Sequence, residues 1–193
     1  MSRIEKKQEM TQAIVNTAKQ LFEEHGIENV SMHAIAKELN IGQGTLYRRF
    51  SNKGELCFAM LESDFLRLHQ KIMTYMNDNK EATSYDKGVF IIRALVSLIS
   101  SHSSWLEVML THIDGNLVNN NQVPNSPPPP IVIVQELIQP IFEQVDTDVD
   151  TFFWSTTIAA VLNPLLIRQL TVSGYTEDDI VDGLATIFLA PLL

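Results

Sequence analysis

Apolar residues recur at helical spacing along almost the whole chain, and no stretch keeps the two-residue alternation of a half-buried strand. The pattern predicts an all-α fold. In the first segment Ile14, Val15, Ala18, Leu21 and Phe22 share one stripe of a helix predicted from Glu5 to His25, and Gly26 suits its left-handed cap. Ser31 is placed to cap a short second helix, from Met32 to Leu39, whose Ile35, Ala36 and Leu39 face inward. Asn40-Ile41-Gly42 then makes a tight turn, since Asn and Gly tolerate positive φ and Ile41 can plug the corner. A third short helix is predicted from Gln43 to Phe50. Ser51 and Asn52 cap a long fourth helix, from Lys53 to Met76, which joins the two parts of the chain.

Beyond it the pattern predicts helices from Tyr85 to Ser100, Ser104 to Ile113, Ile131 to Gln144, Thr151 to Val172 and Glu177 to Ala190. "DGNLVNNNQVPNSPPPP", rich in Asn and ending in four prolines, reads as a surface loop with extended polyproline character. Pro140 and Pro164 each remove a helix hydrogen bond and are expected to kink their helices.

Composition narrows the class. At 45% hydrophobic and 19% charged residues the chain can bury a core and is not disordered as a whole. A single cysteine, Cys57, excludes an internal disulfide framework, and no Cys/His pair stands at zinc-site spacing. No metal or cofactor is expected. The first apolar segment is interrupted by Lys19, unlike a signal peptide, so a cytoplasmic protein is expected. The uncharged run from Thr151 to Ile167 contains Asn163 and Pro164 and reads as a buried helix, with no membrane partner implied.

The net charge of −9 is unevenly spread. Residues 1–53 carry eight Lys/Arg against six acids, a net of +2, whereas the remainder carries six against seventeen, a net of −11. A polyanion would therefore be met by the first third of the chain, and the acidic remainder would repel it.

The basic stretch "NIGQGTLYRRFSNK" concentrates that charge. At about 100° per residue, Leu46 and Phe50 lie within roughly 40° of each other, so they face the core together. Arg48 lies opposite, with Gly44 and Thr45 beside it, and Tyr47 and Arg49 fall on the flanks. A helix of about eight residues is about 12 Å long, comparable with the width of the DNA major groove. Gly42 and Gly44 would allow close approach, Gln43 and Thr45 would reach base edges, and Arg48 would pair bidentately with guanine. Tyr47, Arg49 and Lys53 are placed for phosphates, as is Ser31 at the start of its helix.

"SMHAIAKELNIGQGTLYRRFSNKGEL" resembles the DNA-binding segment of the TetR family of bacterial transcriptional regulators, through Ile35-Ala36, the turn, Gly44-Thr45-Leu46-Tyr47, Phe50, Lys53 and Leu56. The likeness covers a quarter to a third of the chain, and the rest is similar in architecture only. Asn40 stands where the family often has Gly, Gly42 where it often has Ser or Thr, and Arg49 where it often has His or Tyr. The resemblance implies a three-helix helix-turn-helix DNA-binding domain over residues 1–53, continuing into the linking helix over 53–76. A larger helical ligand-binding and dimerization domain would follow over 54–193. It also implies a homodimeric repressor on a pseudopalindromic operator, released by a small-molecule inducer.

Other features are weaker. "GQG" lacks the third glycine and the preceding strand of a dinucleotide fingerprint, and no nucleophile elbow or phosphate loop points to an enzyme. Cys57 sits in the apolar run "LCFAML" and reads as a core residue. His102, Trp105, Met109 and His112 recur on one helix face and are candidates for a ligand pocket, with core packing the competing explanation. "TFFWSTTIAAVLNPLLIRQL" and "DIVDGLATIFLAPLL" are apolar enough to supply two helices to a two-fold interface. An α-helical ligand-binding or protein-interaction module without specific DNA binding is the alternative to a regulator.

Overall fold

The computed structural model describes residues 2–109, 129–142 and 150–190. Among the described residues there is no strand, as the periodicity predicts. The chain divides into two units: the first runs to Ser63 and takes in the segment that begins at Ser104, and the second comprises Asp64–Ser103 and the described residues from Pro129 onward.

The first unit opens with α1, Arg3–His25. It starts two residues earlier than the apolar stripe predicts because Ser2 and Glu5 form a capping box. The Ser2 hydroxyl accepts from the Glu5 N–H at 3.1 Å, and the Glu5 carboxylate accepts from the Ser2 N–H at 2.8 Å. Gly26 ends the helix at φ +79°, a region that side chains with a Cβ rarely adopt. A 3-10 turn, Ile27–Asn29, leads to α2, Met32–Glu38, where the Ser31 hydroxyl accepts from the Ala34 N–H at 3.1 Å.

The end of α2 is a Schellman motif. Ile41 N–H donates to the Ala36 carbonyl at 2.9 Å, and Asn40 N–H to the Lys37 carbonyl at 3.0 Å. Asn40 takes the left-handed position at φ +51°, whereas Gly42 has φ −66° and serves as N-cap of α3, Gln43–Tyr47. The positive φ expected of this turn thus falls on Asn40 and not on Gly42. α3 is also shorter than the predicted Gln43 to Phe50: five residues of helix, about 7.5 Å, and then a tightening turn in which Arg49 and Phe50 N–H both donate to the Leu46 carbonyl. α4, Lys53–Asp78, follows at once, its first turn held by Asn52, which accepts from the Glu55 N–H at 2.9 Å.

α1 packs on the 3-10 turn and α2, and α2 on α3. Ile14, Ala18 and Phe22 are buried, as are Ile35, Ala36, Leu46, Phe50 and Leu56. Cys57 is buried with them, and loss of solvent pushes its thiol up to about 12, so it is a neutral packing group near neutrality.

The second unit contains α5, Ser84–Ser101; α7, Pro129–Phe142; α8, Thr151–Val161; α9, Pro164–Val172; and α10, Glu177–Phe188. Between α5 and α7 in the sequence lies α6, Ser103–Met109, almost all of it in the first unit. α5 packs on α10, α7 and α9, and α7 packs on α8. At the α5–α10 contact a Cβ on Gly88 would stand 2.7 Å from a Leu189 methyl, so this glycine sets the approach. Gln135, buried on α7, donates to the Thr156 hydroxyl on α8 at 2.7 Å, and Trp154 meets Phe188 edge to face at 5.8 Å.

Two predicted boundaries change here. The single kinked helix expected from Thr151 to Val172 is two helices, because Asn163 caps a new start, accepting from the Leu165 N–H at 2.8 Å, and Pro164 occupies its first turn. α7 begins at Pro129 rather than Ile131 and continues through Pro140. The first turn of a helix has no use for the N–H that proline lacks, so the end of the proline run is compatible with a start there. The rest of the predicted loop, the predicted end of α6 at Ile113 and that of α7 at Gln144 lie outside the described residues. Among the described residues no single helix is long and apolar enough to cross a membrane.

Candidate nucleic-acid interface

The outward face of α3 follows from its inward one. Leu46 is fully buried and Phe50 nearly so, and burying two such side chains contributes roughly 1.5–3 kcal/mol each. With those two fixed, the remaining side chains of this segment have little rotational choice. Gln43, Gly44, Tyr47 and Arg48 are exposed, and Thr45 is half-buried. A Cβ on Gly42 or Gly44 would meet nothing within 4 Å, so both positions leave open space beside the helix start.

The polar groups on this face are tied to one another. Arg48 Nη2 donates to the Thr45 hydroxyl at 3.2 Å, which aims the guanidinium along the helix surface. Gln43 Nε2 is hydrogen-bonded to Nδ1 of His33, an exposed residue in the first turn of α2. Ser31, exposed two residues before it, already serves the same helix as a cap; its hydroxyl proton remains available to an acceptor.

The flanking cations are less free than their spacing predicts. Lys53 is half-buried; its ammonium donates to the Ile27 carbonyl at 2.7 Å and lies 5.9 Å from the Phe22 ring centroid. One of its three donors therefore fastens α4 to the 3-10 turn. Arg49 is half-buried too, with Nη1 at 3.5 Å from the Thr45 carbonyl and a buried Nε that finds no hydrogen-bond partner among the described residues. Tyr47, at 47% exposed, is the flank residue most open to a phosphate.

His33 is the member of this face that the sequence reading missed. A signal was present: it lies outside the inward set Met32, Ile35 and Ala36 of a helix whose neighbour across the turn begins at Gln43.

The candidate ligand residues are described with their own units. His102, in the second unit, ends α5 and brings Nε2 to 3.6 Å from the Asp64 carboxylate, which also pairs with Arg67. In the first unit Trp105 is half-buried beneath the Lys19 ammonium, 6.0 Å from the ring centroid, and Met109 is buried. His112 lies outside the described residues.

Comparison with known proteins agrees with this geometry. Residues 14–60 match the family model for bacterial regulatory proteins of the tetR family. An HTH-type transcriptional regulator of Staphylococcus aureus strain bovine RF122 / ET3-1 is 54% identical over 56 residues. That match spans 29% of this chain and 30% of the relative's length. Among solved structures, the Thermus thermophilus TetR-family repressor FadR, in complex with lauroyl-CoA, covers 95% of both chains at a TM-score of 0.70 and 15% identity. RolR in complex with resorcinol covers 97% of this chain and 91% of its own at a TM-score of 0.64 and 16% identity. At such identities the two structures establish a shared fold. Residues 14–60 thus carry the sequence of the tetR family of bacterial regulatory proteins, and along nearly its whole length the chain shares its fold with solved structures of that family.

Proposed function

We propose that this protein is a ligand-responsive, sequence-specific DNA-binding transcriptional regulator of the cytoplasm, acting as a repressor without chemistry of its own. The observation that carries the reading is the exposed face of α3, with Gln43, Gly44, Thr45 and Arg48 turned away from the buried Leu46 and Phe50. These residues would read base edges, and Ser31, Tyr47, Arg49 and Lys53 would hold phosphates. Residues 1–53 would form the DNA-binding domain, joined through the helix over 53–76 to a sensing and dimerizing remainder.

Homodimerization through the closing helices is part of the proposal. Phe152 and Phe153 on α8, Leu165 and Leu166 on α9, Val172 at its end and Ile187 on α10 are all exposed apolar side chains. Such a concentration is the mark of an interaction face and supports a two-fold contact between copies. Two copies would place their α3 helices on successive major-groove faces of a pseudopalindromic operator.

A small molecule would release the operator by binding one spacing of the reading heads better than the other. The lauroyl-CoA and resorcinol complexes of the two similar structures support a ligand in the helical remainder without naming its class here. His102, Trp105, Met109 and His112 stay candidates for that contact.

Selection of bound duplexes from a random pool, with the mass in solution measured in parallel, tests the reading. A palindromic consensus bound more tightly than random duplex, by a protein of twice the chain mass, is expected. Binding equal to random duplex at every salt concentration would leave an α-helical interaction module.

A further inference from the structure

We propose that His33 sets the base preference of α3 by holding the Gln43 side-chain amide in the orientation that reads adenine. The inference rests on the proposed DNA-binding role of the α3 face. It starts from one contact: Gln43, first residue of α3, directs Nε2 at Nδ1 of His33, ten residues earlier on α2.

An amide nitrogen is a donor only, so the facing Nδ1 must be the acceptor, and a neutral imidazole with its proton on Nε2 is the species that accepts there. That fixes which end of the amide points where. Gln43 carries two N–H bonds and one carbonyl oxygen. On this proposal the N–H trans to Oε1 goes to His33, and the cis N–H and Oε1 remain as one donor-acceptor edge. Adenine offers the complement of that edge in the major groove, N7 as acceptor and the N6 amino group as donor. An untethered glutamine would rotate about its last torsion and present either end, accepting or donating without preference. The tether also removes rotamer freedom from Gln43 before any duplex arrives, so less is lost on binding.

Both residues are exposed, so the pair is not explained as core packing. His33 is a positioning residue here: it acts through Gln43 and need not touch a base.

Two arms test the proposal. Without DNA, nitrogen NMR of the full chain, at a pH well above the usual histidine range, should show His33 protonated at Nε2, with a coupling across the hydrogen bond from the Gln43 amide to Nδ1. A proton on Nδ1 would overturn the proposal whatever the DNA results. With DNA, duplexes are selected from a randomised pool by the wild type and by Gln43→Ala, His33→Ala, His33→Asn and His33→Gln. The position whose preference Gln43→Ala flattens should be adenine in the wild type. His33→Ala should lower that preference by roughly 5- to 10-fold, part of what a good bidentate pair supplies.

Rescue separates positioning from general damage. Asn puts Oδ1 where Nδ1 stood and should restore the adenine preference. Gln puts its carbonyl one bond further and should not. If His33→Ala leaves that position unchanged, or flattens a different one, the tether has no reading role. If the wild type itself selects no motif, the α3 face is not a reader, and the DNA-binding reading fails together with this one.

Discussion

The turn between α2 and α3 and the contact between α5 and α10 are both tight corners, built by opposite means. In the first unit the caps and turns are local: Ser31 to Ala34, Asn40 to Lys37, Ile41 to Ala36 and Asn52 to Glu55 all close within five residues. In the second unit the decisive contacts are distant in sequence. Gly88 meets Leu189, Arg93 pairs with Asp178, and Gln135 bonds Thr156. Local devices set the shape of the α2–α3 corner from its own sequence, whereas the corner between α5 and α10 exists only when distant parts of the chain have packed.

The sharpest way to break the first half of this comparison is Leu46→Ala. Leu46 is fully buried and anchors α3, so its truncation should cost about 2 to 5 kcal/mol in urea unfolding followed by circular dichroism, and should abolish selection of a DNA motif. A loss well under 1 kcal/mol would mean that caps alone hold α3 and that the hydrophobic anchor is dispensable.

Next in size are the two cations. Arg48→Ala should weaken binding to a selected operator by about 1 to 3 kcal/mol and relax one base position per half-site, read by repeating the pool selection. Lys53→Ala should behave differently: its bond to the Ile27 carbonyl is lost, so stability falls by about 1 kcal/mol, and specific and nonspecific binding weaken together with a shallower salt dependence. An unchanged salt slope would assign Lys53 wholly to the fastening of α4.

Gly88→Ala probes the other half. Alanine in a helix is ordinarily favoured over glycine by about 1 kcal/mol, but here its methyl would press on a buried Leu189. Overpacking of this kind costs about 1 to 3 kcal/mol, so a net loss is expected in the same unfolding assay. Gly183→Ala on α10 is the control, with nothing within 4 Å of the new methyl, and it should stabilise. Equal effects at both positions would remove close packing as the reason for Gly88.

How much was legible follows the same division. The start of α2, its turn and the start of α4 could be read because Ser31, Asn40 and Asn52 announce them by side-chain chemistry. The break at Asn163-Pro164 carried a start signal too, Asn before Pro, but the apolar run on both sides favoured a kink over an end. Gly88 offered no signal at all, since its partner lies about a hundred residues away. On the candidate interface, periodicity separated the inward from the outward residues of α3. It could not foresee the Gln43–His33 bond or the half-burial of Arg49 and Lys53, because those depend on how α2, α3 and α4 meet.

The smallest effect expected belongs to a local device inside the second unit, and so sharpens the comparison. α10 begins with a capping box in which the Asp179 carboxylate accepts from the Thr176 hydroxyl at 2.6 Å and from its N–H at 2.8 Å. Those two bonds, the hydroxyl first, hold the Asp179 carboxyl below its ordinary value. A lowered pKa in the folded state means that the unfolded chain takes up the proton first. The stabilisation is therefore complete above the ordinary aspartate value and is lost as pH falls through the folded one. Urea unfolding of Asp179→Asn beside the wild type should show a small deficit at neutral pH that closes in acid. A deficit that stayed constant with pH would mean that the carboxylate's charge has no part in the cap, and that the Thr176 hydroxyl, accepting from the Asp179 N–H at 3.1 Å, supplies the local hold on α10.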